Sequence, residues 1–503
     1  MIRAALLFFA LTSFVSAQTN PAALAARHWR ETHEKAIFDE FVELLSIPNV
    51  SSDRVNIRKN AETIRRAMEK RGVAAQLVEM AGANPVVYGE LKTPKATRTI
   101  VLYAHYDGQP LDAKEWATPP FSPTLRGRMI EKDGQVIPWA AAQYPLDPEA
   151  RLYARSASDD KAPILAMMTA LDAIRAAGLQ LHSNVRFVFE GEEEAGSVNL
   201  EKILAAHKEL FSGDLWLICD GPVPQNRQQL IAFGARGVTT VNITVYGPRR
   251  ELHSGHYGNW APNPAMMLAR LLTSMKDDNG RVLVEHFYDG VAPLSETEKR
   301  AIAEAPAPDA DLMKELWLGS TETSPKKLME LLQQPSLNIR GMASSRIGEQ
   351  ASNVVPSTAM ASIDMRLVKG MDHEKTVARL IEHIRKQGYF VVDAEPAGEV
   401  RMAHPKVAMV TTKGFGYNAV RTSMDLAISK EVIRVVESAR GPAVKVPTMG
   451  GSVPLDGIER ALGTQTITVP IANHDNGQHS FNENIRIRNL WDGIELMAAL
   501  ITM

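Results

Sequence analysis

The 503-residue chain has only one cysteine, Cys219, so no disulfide can form within it. Cys219 lies in the apolar run LWLICD, a pattern typical of a buried strand, and we interpret it as a core residue rather than a nucleophile. The chain also has no basic excess, because 56 Lys and Arg face 58 Asp and Glu for a net charge of −2. This balance gives no indication of nucleic acid or an anionic membrane as a partner.

Long hydrophobic runs are missing after residue 17, so no later segment is expected to span a bilayer. At the start, Arg3 precedes an apolar stretch, and Val-Ser-Ala stands before Gln18. This pattern predicts a signal peptide cleaved after Ala17, because the run is shorter than the ~20 residues of a membrane-spanning helix. We therefore expect an exported protein, either periplasmic or secreted.

The length and the pattern of the remaining chain predict more than one domain. Up to residue 236, apolar strands alternate with helices, which indicates an α/β fold with a mostly parallel sheet flanked by helices. After it, strands alternate apolar and polar residues, as strands with one wet face do, which indicates an inserted smaller α+β two-layer domain. The expected divisions are a signal peptide at 1–17, a first catalytic-domain segment at 18–236, the insertion at 237–400 and a second catalytic-domain segment at 401–503.

An acidic turn follows the predicted strand Val185–Phe189, where Glu192, Glu193 and Glu194 stand in a row. Ligand sites in open α/β sheets lie beyond the carboxyl ends of the strands. Like charges this close repel each other, so they must face water or share a cation. On this stretch alone, a solvated turn and a metal site remain equally open.

Other acids and histidines also follow predicted strands. His105 and Asp107 are two residues apart on an extended segment and share a face, so Asp107 could orient a metal-bound imidazole. A surface histidine beside a turn acid is the alternative. The further candidates are Asp159 and Asp160 before a helix, where N-capping is the usual explanation, Asp220 after the strand LWLIC, and His474 and His479 in a Gly/Asn-rich loop.

Together and in this order, these stretches resemble the M20 family of co-catalytic zinc metallopeptidases, which includes carnosine-type dipeptidases, glutamate carboxypeptidases and aminoacylases. The resemblance covers essentially the whole chain after the leader. The G-G-S-V-P form is closer to the dipeptidase branch. The matching motifs are H-x-D at 105–107, S-D-D-K at 158–161, G-E-E-E-A-G-S at 191–197, D-G at 220–221, L-H-S-G at 252–255, G-G-S-V-P at 450–454 and Q-H-S at 478–480.

The resemblance implies two Zn²⁺ ions, with Mn²⁺ or Co²⁺ as replacements. It implies that Glu193 is the general base and Asp107 the orienting acid. It also implies five metal ligands, with Asp159 bridging, His105 and Asp220 on one ion, and Glu194 and His479 on the other. Zinc accepts such mixed imidazole and carboxylate ligands. A cis peptide is expected between Asp159 and Asp160, and the departure Ala154-Arg155-Ser156 from the usual G-R-G is expected to change the loop locally.

The resemblance further implies a homodimer, formed through the inserted lid and dimerisation domain, in which His253 reaches the neighbouring subunit's site and takes an oxyanion role. Asn353, Arg366, Gly451 and Ser452 are implied substrate contacts, and a guanidinium suits a terminal carboxylate. A solvated strand arginine and a plain tight turn at 451–452 are the alternatives. The 119–150 stretch, rich in Pro and Gly, is predicted to be a long loop.

We predict an exopeptidase with two zinc ions that hydrolyses the amide bond of dipeptides or short peptides. An N-acyl amino acid deacylase on the same scaffold and a hydrolase with one metal are the alternatives. A non-catalytic metal- or peptide-binding protein is a further alternative. Glu193 standing beside all five ligands argues against it, because a receptor needs no base. The expected partner is a small peptide, with neither nucleic acid nor membrane.

Overall fold

The computed structural model describes residues 19–451 and 453–503, with the side chains of 413–415 left out. The predicted leader at 1–17 lies outside the described residues. Over the stretch of chain that is described, no helix combines the length and the apolar character that a membrane crossing requires.

The first half of the chain alternates helices and strands, as expected from its pattern. Its elements are α1 (Pro21–Leu45), α2 (Arg54–Lys70), β1 (Ala74–Val78), β2 (Val86–Leu91), β3 (Thr99–His105), β4 (Thr124–Arg126), β5 (Arg151–Tyr153), α3 (Lys161–Ala176), β6 (Asn184–Glu190), α4 (Leu200–Ala206), α5 (Lys208–Phe211), β7 (Leu215–Ile218), β8 (Leu230–Ala232) and β9 (Gly234–Ala235).

The middle and final segments follow. The middle elements are β10 (Gly237–Tyr246), β11 (Leu252–His253), α6 (Ser254–Tyr257), α7 (Pro264–Thr273), α8 (Glu296–Glu304), α9 (Asp309–Glu315), α10 (Leu328–Leu331), β12 (Ser336–Ala343), β13 (Val354–Val355), β14 (Thr358–Leu367), α11 (His373–Lys386), β15 (Phe390–Val392), α12 (Gly398–Ala403) and β16 (Val407–Tyr417). The last are β17 (Val420–Arg421), α13 (Ala427–Arg440), β18 (Val444–Val446), α14 (Leu455–Leu462), β19 (Gln465–Thr468), β20 (Asn484–Arg486) and α15 (Ile487–Ile501).

The larger sheet has eight strands in the order β1-β2-β6-β3-β7-β19-β8-β18. Its centre is parallel, from β6 through β3 and β7 to β19, and antiparallel pairings flank it, β1 with β2 and β2 with β6 on one side and β8 with β19 on the other. The central strands are apolar and buried on both faces, because α1, α3 and α15 cover one face and α4 and α14 the other. The predicted α/β fold is confirmed.

The smaller sheet has five strands in the order β12-β14-β10-β16-β15, all antiparallel except β15 with β16. The helices α7 and α11 bury its apolar face, which accounts for the alternating pattern of β10 and β14. Val407–Tyr417 pairs with β10, beyond the division expected at residue 400. We therefore propose that the inserted unit extends to Tyr417.

A short two-stranded neck joins the two sheets. Gly234–Ala235, just before the insertion, pairs antiparallel with Val420–Arg421, just after it. The strands approach so closely here that a Cβ on Gly234 would collide with the carbonyl oxygen of Val420. Glycine is therefore required by space at this position.

The stretch 119–150, predicted as a long loop, contains one short strand. This strand, β4, pairs with β5, and β5 pairs with β20 to form a three-stranded sheet. Because β20 follows the segment that contains His479, this small sheet anchors that segment against the chain just before Asp159.

Candidate metal and active site

The predicted metal ligands meet at one edge of the larger sheet. His105 is the last residue of β3, Glu193 and Glu194 form a short 3₁₀ turn after β6, and Asp220 follows β7. These strands are parallel neighbours, so their carboxyl ends lie at the same edge. Asp159 precedes α3, and His479 enters from the segment before β20.

Asp159 lies between the two histidines. Its Oδ1 is 2.9 Å from Nε2 of His105, and its Oδ2 is 3.3 Å from Nε2 of His479. The Oδ2 atom is buried and has no hydrogen-bond donor. Each carboxylate oxygen therefore faces a different histidine, and one of them lacks the partner that a buried acid needs.

The remaining ligand atoms complete two groups around Asp159. Oε2 of Glu194 is 3.4 Å from Nε2 of His479, and Oδ2 of Asp220 is 3.9 Å from Nε2 of His105. Tetrahedral zinc with bonds of roughly 2.0–2.2 Å needs ligand atoms about 3.3 Å apart. The separations on the His479 side match this value closely. The donor set of imidazoles and carboxylates therefore fits a bound divalent metal ion.

Asp160 is a candidate ligand that the sequence did not assign. Its peptide bond with Asp159 is cis, as expected. Oδ2 of Asp160 accepts a hydrogen bond from the amide of His105 at 3.2 Å, while its Oδ1 is buried without a partner. The side chain makes no N-terminal hydrogen bond to α3, so the capping explanation is wrong. His105, Asp160 and Asp220 offer ligand atoms within 4.8 Å of one another, as do His105, Asp159 and Glu194.

The buried acids shift one another's protonation. Burial raises the pKa of Glu194 to about 7 and that of Asp220 to about 6, and in both cases the Asp159 charge adds to the effect. Burial also raises the pKa of Glu193 well above its usual range. The ionic contact with Asp159 raises the pKa of His479 to about 9. Cations bound among these acids would remove the mutual repulsion.

Asp107 contacts the acidic turn as well as His105. Its Oδ1 is 3.5 Å from Nδ1 of His105, whose ring nitrogen also lies 3.1 Å from the carbonyl oxygen of Asp107. Both carboxylate oxygens accept backbone amides, from Glu193 and Glu194, each at 3.1 Å. The fully buried Asp107 therefore fixes the backbone of the turn.

The other polar residues of the turn have separate partners. Glu192 accepts the amide of Asn84 at 2.7 Å and the side-chain amide of Asn199 at 2.9 Å, so it supports the turn from behind. Gln109, which the sequence did not single out, donates to Oε2 of Glu194 at 2.6 Å. Its position four residues after His105 in the same motif was the available signal.

An open cleft of about 410 Å³ lies beside the predicted metal ligands Glu194 and His479. Its walls come from both sheets, because residues of the acidic turn, the smaller sheet and α14 line it together. Besides Glu193, Glu194 and His479, the lining includes Tyr417, Val453, Asp456 and Arg460. The volume is suited to a dipeptide or a short peptide rather than to a folded protein.

The predicted substrate residues of the insertion lie on its surface. His253 is exposed at the end of β11, and its Nδ1 accepts the amide of Gly255 at 3.1 Å, which leaves the proton on Nε2. Asn353 is its neighbour, because its carbonyl oxygen accepts the amide of Ser254 at 2.9 Å. The contacts of His253 and Asn353 do not join them to the metal ligands of the same chain.

Arg366 and the 451–452 turn have surroundings that differ from those of His253 and Asn353. Arg366 lies on the polar face of β14, is 35% exposed and pairs with Asp364 at 3.4 Å. Gly451 is exposed in the turn before α14, and Ser452 lies outside the described residues. Cys219 is buried and free, as expected of a core residue.

Comparison with known proteins gives a consistent result. Residues 101–503 match the sequence profile described as Peptidase family M20/M25/M40. The chain is 27% identical over 488 residues to the Cys-Gly metallodipeptidase dug1 of Schizosaccharomyces pombe, covering 92% of this chain and 95% of that protein. It is 29% identical over 432 residues to the human Beta-Ala-His dipeptidase, covering 82% and 76%. The M20 family metallo-carboxypeptidase Sso-CP2 of Sulfolobus solfataricus superposes with a TM-score of 0.74 at 27% identity, covering 93% and 98%.

The predicted location is corrected by these similarities. The yeast Cys-Gly metallodipeptidase, which matches nearly the whole chain, is a cytosolic-type enzyme. The expectation of a periplasmic or secreted protein is therefore wrong. It rested on Arg3, the short apolar run that follows it and Val-Ser-Ala before Gln18, in a segment that lies outside the described residues.

Proposed function

The chain belongs to peptidase family M20/M25/M40 and is a metallopeptidase that hydrolyses peptide bonds, and we propose that it is an exopeptidase with two zinc ions that cleaves dipeptides or short peptides. The position of Asp159 carries this proposal. Its two oxygens face His105 at 2.9 Å and His479 at 3.3 Å, one on each side. A carboxylate in this position can be shared between two cations.

Glu193 is the residue we assign as the general base. Its Oε2 lies 4.0 Å from Nε2 of His105, so its carboxylate reaches the ligand cluster. Two bound zinc ions would supply a polarised substrate carbonyl and an acidified water. With the ions bound, Glu193 would accept a proton from the attacking water and pass it to the leaving amine.

The dipeptide preference is supported by the named relatives and by the cleft. The relatives from fission yeast and human are a Cys-Gly metallodipeptidase and a Beta-Ala-His dipeptidase. The cleft of about 410 Å³ ends at the metal ligands. Arg366, Asn353, Gly451 and Ser452 are the residues we propose to hold the substrate, with the guanidinium on its terminal carboxylate.

A homodimer also belongs to the proposal. His253 is exposed, and its described contacts are with Gly255 and His256 rather than with the proposed metal ligands of its own chain. Its Nε2 is left to donate. The strand β12 is an edge of the smaller sheet, and its residues from Asn338 to Ala343 are exposed. Both features are consistent with a second copy that covers the insertion and receives His253 at its own site.

The proposal is tested with a panel of free, N-acylated and C-amidated dipeptides, assayed with Zn²⁺, Mn²⁺ and Co²⁺ while bound metal is counted. We expect release of amino acids from free dipeptides and two ions per chain. Turnover restricted to N-acylated substrates would replace the peptidase with a deacylase. Tight peptide binding without turnover would leave only a binding protein, and a single ion per chain would reject the two-metal site.

Two glutamates of the turn provide a matched pair of variants. Glu193→Gln should lower kcat by at least about 10³-fold, because the proton carrier is lost, while both ions remain bound. Glu192→Gln should lower kcat much less, because it loses one hydrogen bond behind the turn, to Asn84 or Asn199, and keeps the proton carrier. Equal losses in the two variants would remove Glu193 from its assigned role.

A further inference from the structure

Glu483 is a fully buried acid that neither the sequence motifs nor the proposed chemistry uses. It lies four residues after His479, in the segment that leads into β20. Its backbone carbonyl oxygen accepts the amide of Ala154 at 3.1 Å, so this segment is already paired with the chain before Asp159. The side chain then turns into the loop 155–159.

The carboxylate of Glu483 binds that loop through five donors. They are the amides of Ser156 at 2.8 Å, Ser158 at 3.0 Å and Asp159 at 2.9 Å, the hydroxyl of Ser158 at 3.0 Å and a guanidinium nitrogen of Arg155 at 2.9 Å. Both oxygens accept, and only an ionised carboxylate accepts at every site, because a carboxamide has one accepting atom. The amide of Asp159 itself is one of the donors.

The same contacts explain how the loop can have Ser156 where the resembled family usually has a glycine. Ser156 has a φ of +61°, a left-handed conformation that is uncommon for serine. Its amide is held by Glu483, and its hydroxyl accepts from the side chain of Asn49 at 2.8 Å. The conformation that glycine would adopt freely is therefore stabilised here by hydrogen bonds.

Arg155 also links the 155–159 loop to the segment that contains His479. Its guanidinium pairs with Glu483 at 2.9 Å and donates to the carbonyl oxygen of Ser480, the residue after His479, at 3.0 Å. Both charged side chains are buried, at 2% and 1% exposure. A buried charge is costly unless it is paired and hydrogen-bonded, and here both conditions are met.

We infer that Glu483 is a positioning residue that fixes the distance between the ligands Asp159 and His479. This inference rests on the proposed two-metal function. One carboxylate holds the backbone amide of the first ligand, and its own chain segment carries the second ligand. These contacts hold the backbones of both ligands, whose Oδ2 and Nε2 atoms lie 3.3 Å apart. Such preorganisation raises metal affinity, because the ligands need not be gathered on binding.

The test compares Glu483→Gln with Glu495→Gln by calorimetric zinc titration of the metal-free chain. Glu495 is a matched control, because it is 3% exposed and paired with Arg27 and Arg440, away from the ligands. Loss of a group that orients a metal ligand typically costs about 10–100-fold in affinity. We expect at least a tenfold weaker zinc site in Glu483→Gln and wild-type affinity in Glu495→Gln.

Circular dichroism and thermal melting check that each variant is folded. If Glu483→Gln does not fold, Ser158→Ala removes only one hydroxyl donor to Glu483 and should weaken zinc binding by a smaller factor with the fold intact. Zinc affinities within threefold of wild type in the folded Glu483 or Ser158 variant would overturn the inference. An equal loss in the Glu495 control would do the same. A wild-type chain that binds no zinc would instead reject the proposed function, so the two failures are distinguishable.

Discussion

Asp107 holds Glu193 by its backbone. Oδ1 of Asp107 accepts the amide of Glu193 at 3.1 Å, and Oδ2 accepts the amide of Glu194 at the same distance. The residue that we assign as the base and its neighbouring ligand are thus both attached to one buried carboxylate, which also lies beside His105. The geometry of the acidic turn depends on the H-x-D motif as much as the histidine does.

Asp107→Asn should lower both zinc affinity and kcat by about 10–100-fold, because a carboxamide nitrogen cannot accept the amide of Glu193 or Glu194. Metal counting and steady-state kinetics measure the two effects. Asp53→Asn is the control, since Asp53 caps α2 and asparagine caps a helix equally well. Unchanged zinc content and activity in Asp107→Asn would contradict the assignment.

Glu190 predicts a pH dependence of stability. Burial raises its pKa to about 8, even though Tyr103 donates to it at 2.6 Å. Between its unfolded pKa of about 4.3 and about 8, the folded chain keeps a proton that the unfolded chain has released. Stability from this group is therefore present at low pH and is lost as the pH rises through this window.

Glu190→Gln should remove that loss, because glutamine stays neutral and can still accept from Tyr103. The melting temperature of the variant should exceed that of the wild type at pH 8 by at least about 3 °C more than at pH 5. Thermal melts of the variant and the wild type in chelator-containing buffer measure this difference in melting temperature. The titrating groups that both proteins share contribute to both melts and are subtracted. A difference that is constant from pH 5 to pH 8 would show that Glu190 does not carry this effect.

The proposed role of His253 predicts that two inactive variants regain activity when they are mixed. His253→Ala and Glu193→Gln should each be nearly inactive as homodimers, because each site needs Glu193 from one chain and His253 from the other. Random exchange gives half mixed dimers with one complete site each, so roughly a quarter of the sites should work.

Activity after mixing is compared with that of each variant alone, and light scattering gives the mass. Mixing Glu193→Gln with Asp220→Asn is the control, because both residues belong to the same site and no complete site can arise. Failure of the His253 mixture to regain activity in chains that do exchange would reject the shared site.

Arg366 predicts a substrate-specific change. Arg366→Ala should lower kcat/KM for free dipeptides by about 10–100-fold, since a hydrogen bond to a charged group contributes about 1.5–3 kcal/mol. Dipeptide amides, which lack the carboxylate, should be affected little. Arg366→Lys keeps the charge but loses the bidentate contact, and it should fall between the two. Equal losses of kcat/KM on free dipeptides and on dipeptide amides would show that Arg366 has a structural role, through its ion pair with Asp364, and does not bind the substrate carboxylate.

Local pattern was enough to predict much of the fold. The helix His373–Lys386 and the strand from Val238 to Tyr246 can be predicted from the sequence, because each has one strongly apolar face that packs in the smaller sheet's core. The strand β12 cannot, since its exposed edge residues carry no alternation. The first half of α2 cannot either, because it is polar and only the cap at Asp53 marks its start.

The site was predicted less evenly. The chain order of the motifs predicted which acids and histidines to gather, and the structure places His105, Asp159, Glu194, Asp220 and His479 together. The hydrogen bonds that hold them were not predictable. Glu483 and Asp159 are 324 positions apart, and the three-stranded sheet formed by β4, β5 and β20 brings their segments side by side.

The paired strands at the neck make the insertion a removable module. Because Ala235 and Val420 are hydrogen-bonded neighbours, the chain leaves the larger sheet and returns to it at one point, with Cα atoms about 5 Å apart. A short linker could join these ends after deletion of the residues between them, provided that the apolar surface that α8 covers beside β18 is made polar. The larger sheet, with all five proposed metal ligands, would then remain one continuous chain, and metal binding could be measured apart from dimer formation.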